Sequence, residues 1–216
     1  MKAIIFAAGP TDALSYVYGF PKGAKPKCLF HYKGEILLER QVRLLRKCGI
    51  KDIRVVVGYK KGFIERFNKR KKLGLKLIYN PEAATDNKRS GWKKAWTSWK
   101  VGLKGIADDV LLILGDVYFT KKCLLQVIRS KQKSVTTFNG VGIGNISKVA
   151  KQHVAELRNF KCRGLGRGIH DFILWKKGVK GFVPGKRKLR REHYMTFSSK
   201  DLRDIDYFRQ TDEGKK

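Results

Sequence analysis

The chain has 216 residues, 42% of them hydrophobic, and carries 49 Lys and Arg against 18 Asp and Glu, a formal net charge of +31. That length suits one domain, or one with a small appendage, and the apolar fraction is enough for a packed core. The charge attracts polyanions such as nucleic acid, anionic headgroups and nucleotides, but it sets nonspecific attraction rather than a site. The four cysteines, Cys28, Cys48, Cys123 and Cys162, form no C-x-x-C pair. They suggest neither a zinc site nor a disulfide framework, and they read as reduced thiols of an intracellular protein. The apolar run before Gly9 is too short for a signal peptide, and no other run approaches the length of a membrane span. A soluble, cytoplasmic protein is expected.

In chain order, Ala3 to Ala8 is a continuous apolar run ending at Gly9, as expected of a buried parallel strand. Pro10 to Ala24 is long for a strand-to-helix connection and reads as a functional flap. Glu35 to Lys47 reads as a helix with Leu38, Val42, Leu45 and Cys48 on one face and Gly49 placed to stop it. Ile53 to Gly58 is a second strand, Lys60 to Lys71 a lysine-rich helix, and Leu75 to Tyr79 a third strand ended by Asn80-Pro81. A polar loop from Ala83 to Gly91 leads into a helix with Trp92, Trp96, Trp99 and Leu103 at helical spacing. Val110 to Leu114 is the most apolar strand and runs into Gly115-Asp116. A helix at Lys121 to Ser130 and a strand at Ser134 to Phe138 follow. Val154 to Phe160 and Ile169 to Trp175 read as antiparallel strands, and Lys186 to Arg191 is a dense basic run. Strands alternating with helices predict βαβ units and a parallel sheet. The fold expected is α/β, a Rossmann-like three-layer αβα sandwich with a mostly parallel central sheet and a small antiparallel C-terminal extension. Residues 1–138 would form the core and 139–216 a second portion of a single domain.

Ligands of open α/β sheets sit beyond the carboxyl ends of the strands. Ala7, Ala8 and Gly9 lie there, with room for close approach to the backbone, and Lys25 and Lys27 return nearby with charge for phosphate. Asp116 ends the most apolar strand. A carboxylate there points into the ligand crevice and suits Mg2+, which prefers hard oxygen ligands and keeps several waters. An aspartate in that position also opens turns or caps helices. A second carboxylate would come from Asp206 or Asp204, which share one face of an extended segment. Trp92 is placed either for packing on the sheet or against a ligand ring or quaternary amine. The four histidines make no pair at ligand spacing. Neither G-x-S-x-G, nor a Walker A pattern, nor G-x-G-x-x-G is present, so hydrolase, P-loop and dinucleotide readings lack support.

Together, Ala3 to Gly9, Pro26-Lys27, the Glu39-Arg40-Gln41 helix and Val55 to Tyr59 resemble the nucleoside-triphosphate transferase family, which makes nucleotide-activated sugars and alcohols. Tyr79-Asn80-Pro81 followed by Asn87 and Ser90 resembles its phosphocholine cytidylyltransferase-like and sugar-phosphate branch. Gly115-Asp116-Val117-Tyr118 is similar to its metal-aspartate strand, Val141 to Ser147 with Gly142 to a substrate-side strand, and Asp204-Ile205-Asp206 to its second metal position. The resemblance implies transfer of NMP from a nucleoside triphosphate to a sugar 1-phosphate or a phospho-alcohol such as phosphocholine, with pyrophosphate leaving. It implies Mg2+ on Asp116 and Asp206 or Asp204, Lys27 on the phosphates, Ala7 to Gly9 and Lys25 at the triphosphate, Asn80, Asn87 and Ser90 at base and ribose, and Gly142 and Trp92 at the acceptor.

One motif departs from the family. Its opening loop reads Gly-x-Gly-x-Arg, whereas here Gly9 is followed by Pro10-Thr11-Asp12-Ala13-Leu14. Triphosphate binding would then lean on backbone N–H groups and on Lys22, Lys25 and Lys27. Two other readings stay open: a retained fold used as a nucleotide or nucleic-acid binding module, and a nucleotide-sugar glycosyltransferase.

Overall fold

The computed structural model describes residues 1–9, 25–84, 95–138, 143–160, 169, 172–173, 195–198 and 200–204. The described elements are β1 (Lys2–Ala7), a 3-10 turn (Lys27–Leu29), β2 (His31–Tyr32), β3 (Glu35–Ile36), α1 (Leu37–Lys47), β4 (Ile53–Val57), α2 (Lys61–Arg70), β5 (Lys76–Tyr79), α3 (Pro81–Ala84), α4 (Ala95–Gly102), β6 (Val110–Leu114), β7 (Val117–Phe119), α5 (Lys121–Arg129), β8 (Ser134–Phe138), β9 (Ile143–Val149), α6 (Lys151–Asn159), β10 (Met195–Thr196) and β11 (Leu202–Asp204). Among the described residues no helix is long and apolar enough to cross a membrane.

Seven strands form one sheet in the order β10-β8-β9-β6-β1-β4-β5. β1 lies between β4 and β6 and is parallel to both. β4 and β5, and β8 and β10, are also parallel, while β9 runs antiparallel to both of its neighbours. The two-residue period of a strand explains the layers. Ala3, Ile5 and Ala7 of β1 face one core with Leu38, Leu45, Ile64, Leu124 and Val127 of three helices. Ile4 and Ala8 face the other, with Trp99, Leu103, Val154 and Leu157. A sheet buried on both faces needs apolar residues at both parities, which is why β6 reads as an unbroken apolar run and β1 and β4 as apolar runs interrupted only by Lys2 and Arg54. This is the α/β sandwich expected, with the short antiparallel pair β7–β11 beside it.

Helix ends follow local chemistry. Gly49 adopts a left-handed φ of 82° after α1. Its N–H donates to the carbonyl of Arg46 at 2.9 Å, and that of Ile50 to Leu45 at 3.0 Å, so carbonyls of the last turn are satisfied. The Thr120 hydroxyl caps α5 by accepting from the Cys123 N–H at 3.2 Å. Arg54, a buried cation on β4, donates to the carbonyls of Gly102 and Lys104 at 3.3 and 2.7 Å, covering the C-terminal end of α4.

Three expectations change. The helix expected from Glu35 starts at Leu37, because Glu35 and Ile36 pair with Tyr32 and His31 in a hairpin. Its two-residue turn, Lys33 and Gly34, has φ of 50° and 78°. Positive φ at both positions is what a tight hairpin turn requires. The strand expected at Val154 to Phe160 is the helix α6. Val154 and Leu157 both reach the core at a spacing of three, a helical interval that a short apolar run does not separate from a strand. Ile169, Phe172 and Ile173, read as strand, have helical backbone, and all three are buried at i, i+3 and i+4. The rest of Ile169 to Trp175, and Lys186 to Arg191, lie outside the described residues.

Candidate active site

The site is built where β1 and β6 end. Gly115 N–H donates to the Phe6 carbonyl at 2.9 Å, and Tyr59 N–H to the Ala8 carbonyl at 3.1 Å, so the chain leaving β1 is held from both neighbouring strands. These approaches leave no room for a side chain. A Cβ on Gly115 would stand 2.9 Å from the Phe6 carbonyl oxygen, and one on Gly58 2.7 Å from that of Ala8. Ala7 and Ala8 are small for the same reason: both are buried, and Ala8 packs on Gly58. Gly9 differs. It is exposed, and among the described residues a Cβ there would meet nothing within 4 Å. Of the three small residues expected at the triphosphate, Ala7 and Ala8 are buried and Gly9 is exposed.

Lys27 and Asp116 meet at this point. The Lys27 Nζ lies 2.5 Å from Asp116 Oδ2, with side chains 14% and 18% exposed. Two packing contacts set the geometry. Cys28 is buried, and its Cβ would be 3.2 Å from a Cβ on Gly115, so the 3-10 turn is seated on the residue before Asp116. That turn is closed by Leu29 N–H donating to the Pro26 carbonyl at 2.8 Å. Burial, and then the Asp116 charge, pushes the Cys28 thiol well above its ordinary value, so it stays protonated and serves as an apolar plug.

A further residue positions Asp116. Gln41 on α1 is 1% exposed. Its Nε2 donates to the carbonyls of Leu114 at 3.0 Å, Gly115 at 3.4 Å and Val117 at 2.7 Å. These carbonyls flank Asp116 on both sides, so α1 grips the turn that carries it. Sequence reasoning quoted Gln41 within a motif but assigned it no role. The available signal was a polar side chain among Leu37, Leu38, Val42, Leu44 and Leu45 on the buried side of the helix. Beside it, Arg40 donates to the Phe119 carbonyl at 3.2 Å and lies over the Tyr118 ring at 4.4 Å. Arg40 and Arg43 both hold Glu35. Burial raises the Glu35 carboxyl, but hydrogen bonds from these two guanidiniums outweigh it and the net shift is downward.

β11 brings the C-terminal segment to the same strand. It pairs antiparallel with β7 in the register Leu202–Phe119, Arg203–Tyr118 and Asp204–Val117, placing the Asp204 backbone opposite the residue after Asp116. Asp201 locks the pair: its carboxylate accepts from Thr120 at 3.0 Å and from Ser198 at 3.1 Å. Asp206 lies two residues beyond this register, outside the described residues. Among the described residues no group of three or more His, Cys, Asp or Glu side chains is clustered as a metal cage. The donor set nevertheless suits Mg2+, which is held by one or two carboxylates together with substrate phosphates and water.

Other expected site residues fall differently. Lys25 is exposed, two residues before Lys27. Asn80 is 1% exposed. Its Nδ2 donates to Thr97 Oγ1 at 2.8 Å and Ser98 Oγ at 3.0 Å, and its Oδ1 accepts from the Glu82 N–H at 3.1 Å. Those bonds tie the end of β5 to α4, so Asn80 acts here as scaffold, with its amide turned away from any open surface. Asn87, Ser90, Trp92 and Gly142 lie outside the described residues. Trp99 and Leu103 of the same aromatic spacing are core. A separate concavity between α5 and β10, lined by Lys121, Lys122, Leu125, Arg129 and Met195, shares no residue with the Lys27–Asp116 pair.

No protein-family model matches the chain. Over 146 residues it is 33% identical to a bifunctional sugar-1-phosphate nucleotidylyltransferase/acetyltransferase of Sulfurisphaera tokodaii, a stretch covering 67% of this chain and 31% of that protein. Over 88 residues it is 38% identical to a choline-phosphate cytidylyltransferase of Streptococcus pneumoniae, covering 40% of this chain and 35% of that protein. The matched stretches thus span about a third of the length of these curated relatives. Among solved structures it is similar to CTP:phosphocholine cytidylyltransferase from Streptococcus pneumoniae, with a TM-score of 0.60 and 19% identity over 95% of this chain and 93% of that one. It is also similar to a Mycobacterium tuberculosis protein in complex with manganese, at a TM-score of 0.55 and 16% identity over 91% and 86% of the two chains. At such identities the structural likeness establishes the fold. In sequence and in structure the neighbours are sugar-1-phosphate nucleotidyltransferases and CTP:phosphocholine cytidylyltransferase, which matches the family that the sequence resembles.

Proposed function

We propose that this chain transfers a nucleoside monophosphate from a nucleoside triphosphate to a sugar 1-phosphate or phospho-alcohol and releases pyrophosphate. The observation that carries this reading is the Lys27–Asp116 pair beside the exposed Gly9, at the carboxyl ends of adjacent parallel strands. One phosphate oxygen of the acceptor attacks the α-phosphorus, the bond from that phosphorus to the bridging oxygen breaks, and pyrophosphate leaves with the electron pair. The acceptor phosphate is already ionised at neutral pH, because its second pKa is about 6, so no protein base is required. Catalysis is then positioning and charge neutralisation.

The chain's own residues supply both. The Gly9 backbone admits the triphosphate to the strand ends. Lys27, anchored by the turn that Cys28 seats, offers a cation to charge developing between the α- and β-phosphates. Asp116, held in place through Gln41, would hold a divalent ion together with a carboxylate of the Asp204–Asp206 segment. That ion, Mg2+ in our reading, would draw charge from the phosphate oxygens. Before substrate enters, Lys27 and Asp116 neutralise each other. Arrival of phosphate gives Lys27 a second anionic partner and frees an Asp116 oxygen for a ligand.

The test is pyrophosphate release with each nucleoside triphosphate in Mg2+ against a panel of sugar 1-phosphates and phosphocholine. Release with one pairing, reduced about 10²- to 10³-fold by Asp116→Asn with the melting temperature nearly kept, is the expected result. If no triphosphate raises the melting temperature of the wild type in Mg2+, and Asp116→Asn behaves identically, the enzyme reading is wrong. The chain is then a binding module that has lost activity with its Gly-x-Gly-x-Arg loop.

A further inference from the structure

The outer face of α2 and the adjoining edge strand β5 combine charge and exposed rings in a way the transfer reaction does not use. Between positions 60 and 79 stand eight Lys or Arg and one acid, Glu65. α2 has committed its apolar side, Ile64 and Phe67, to the core. What it turns outward is Lys61, Glu65, Arg66, Lys69 and Arg70, with one ring among them, Phe63, which is 40% exposed. β5 ends the sheet, and its last residue, Tyr79, is 47% exposed. Phe63, Tyr79 and Met1 are the large hydrophobic residues left exposed among those described, and two of the three lie here.

Cations stand beside both rings. Lys61 Nζ lies 4.4 Å from the Tyr79 ring centre, which ties the first turn of α2 to the end of β5, and the Arg66 guanidinium lies 5.0 Å from that of Phe63. Lysine on an edge strand discourages strand-to-strand association, and Lys76 serves that purpose on β5. Edge protection needs no exposed aromatics, however, and a merely solvated helix face would not leave two rings at the surface, each beside a cation. Rings that stack bases beside cations that meet phosphates are the arrangement by which single strands are held without sequence preference. An anionic membrane fits less well, because the apolar side of α2 is spent on the core and cannot insert.

We propose that the face formed by α2 and β5 binds single-stranded nucleic acid, with Phe63 and Tyr79 stacking bases and Lys61, Arg66, Lys69 and Arg70 meeting the phosphates. This face shares no residue with the Lys27–Asp116 pair, and its binding is proposed to be independent of the transfer activity.

The test is fluorescence anisotropy of the intact chain with a labelled uridine oligoribonucleotide and the matching thymidine oligodeoxynucleotide, each of about 20 nucleotides, across a salt series. Wild-type protein is expected to bind at least one strand. Phe63→Ala with Tyr79→Ala, which leaves every charge in place, should weaken binding about tenfold or more, and Phe63→Tyr should retain it. Arg66→Gln with Arg70→Gln should lower the salt slope by about 1.4, at roughly 0.7 per single-strand phosphate contact. Asp116→Asn should bind as the wild type does. The proposal is overturned if removing both rings leaves affinity unchanged or if a duplex of equal length binds as tightly. It is also overturned if Asp116→Asn abolishes binding, if Lys121→Gln with Lys122→Gln on α5 weakens binding as much as the ring variants do, or if anionic vesicles bind while neither strand does. Melting curves of each variant, expected to match the wild type because both rings are exposed, show that the fold is intact.

Discussion

Lys27 and Asp116 carry the proposed chemistry, and their contact is shielded enough for each to depend on the other. Removing one leaves a charge less than a fifth exposed without its partner. In a double-mutant cycle of Lys27→Met and Asp116→Asn, denaturant unfolding is expected to return a coupling of about 0.5–3 kcal/mol. Additive effects would mean that the two side chains do not meet in solution. Gln41 makes a sharper case. Gln41→Leu keeps the bulk but leaves the Leu114 and Val117 carbonyls without the amide, at a cost of about 1–3 kcal/mol. Gln41→Glu turns an acceptor on those carbonyls and should melt lower than Gln41→Leu. Equal melting temperatures for the two variants would show that the hydrogen bonds do not matter. If the turn carrying Asp116 loosens, the rate of transfer should fall more than nucleotide binding does.

At the scale of elements, the site exists because three strand ends come closer than side chains allow. The glycines at 58 and 115 are needed for proximity and not for turn geometry, since neither has a positive φ. The obstacles are backbone carbonyls of β1, which is held between two strands and cannot move aside. Gly115→Ala and Gly58→Ala should each cost about 1–3 kcal/mol from overpacking, or roughly 2–10 °C in melting temperature for a chain of this size. Gly9→Ala meets nothing among the described residues and should melt like the wild type while weakening triphosphate binding, read by thermal shift with nucleotide. A fall in the Gly9→Ala melting temperature without ligand would remove the distinction drawn between Gly9 and its neighbours.

For the whole molecule, stability should depend on pH at the alkaline end through a buried thiol. Burial, with the Asp201 charge second, pushes Cys123 from an ordinary value of 9.0 up to about 12. Below pH 9 both folded and unfolded chains keep the proton, and the thiol has no effect on stability. Above it the unfolded chain releases the proton and the folded one holds it, so folding loses about 1.4 kcal/mol per pH unit until about pH 12. Cys123→Ala should flatten that slope by the same amount in urea titrations between pH 9 and pH 11 while lowering stability at pH 7. An unchanged slope would mean that Cys123 is solvated. The same burial predicts that Cys28 and Cys123 resist iodoacetamide in the native state and react on unfolding, while the half-buried Cys48 reacts earlier.

Long apolar runs made the central strands readable from the sequence, because a strand buried on both faces has no polar parity to confuse it, and Val110 to Leu114 was bounded without error. The same reading named Asp116, two residues past the end of that strand, and Lys27, through a motif, and the fold brings the two side chains together. The reading failed at Val154 to Phe160 and at Ile169, Phe172 and Ile173, where helical and strand spacings cannot be told apart over so short a length. The family resemblance puts Asn80 at base and ribose; in the fold its amide holds two buried hydroxyls of α4, 17 and 18 residues away. Gln41 and Gly115 show the limit most plainly. Local residue chemistry determines which strands form and which charges stand at their ends. That Gln41 reaches carbonyls 73 to 76 residues on, that Cys28 seats a lysine against Asp116, and that Asp204 pairs beside Val117 are contacts between distant segments, and only the packed fold decides them.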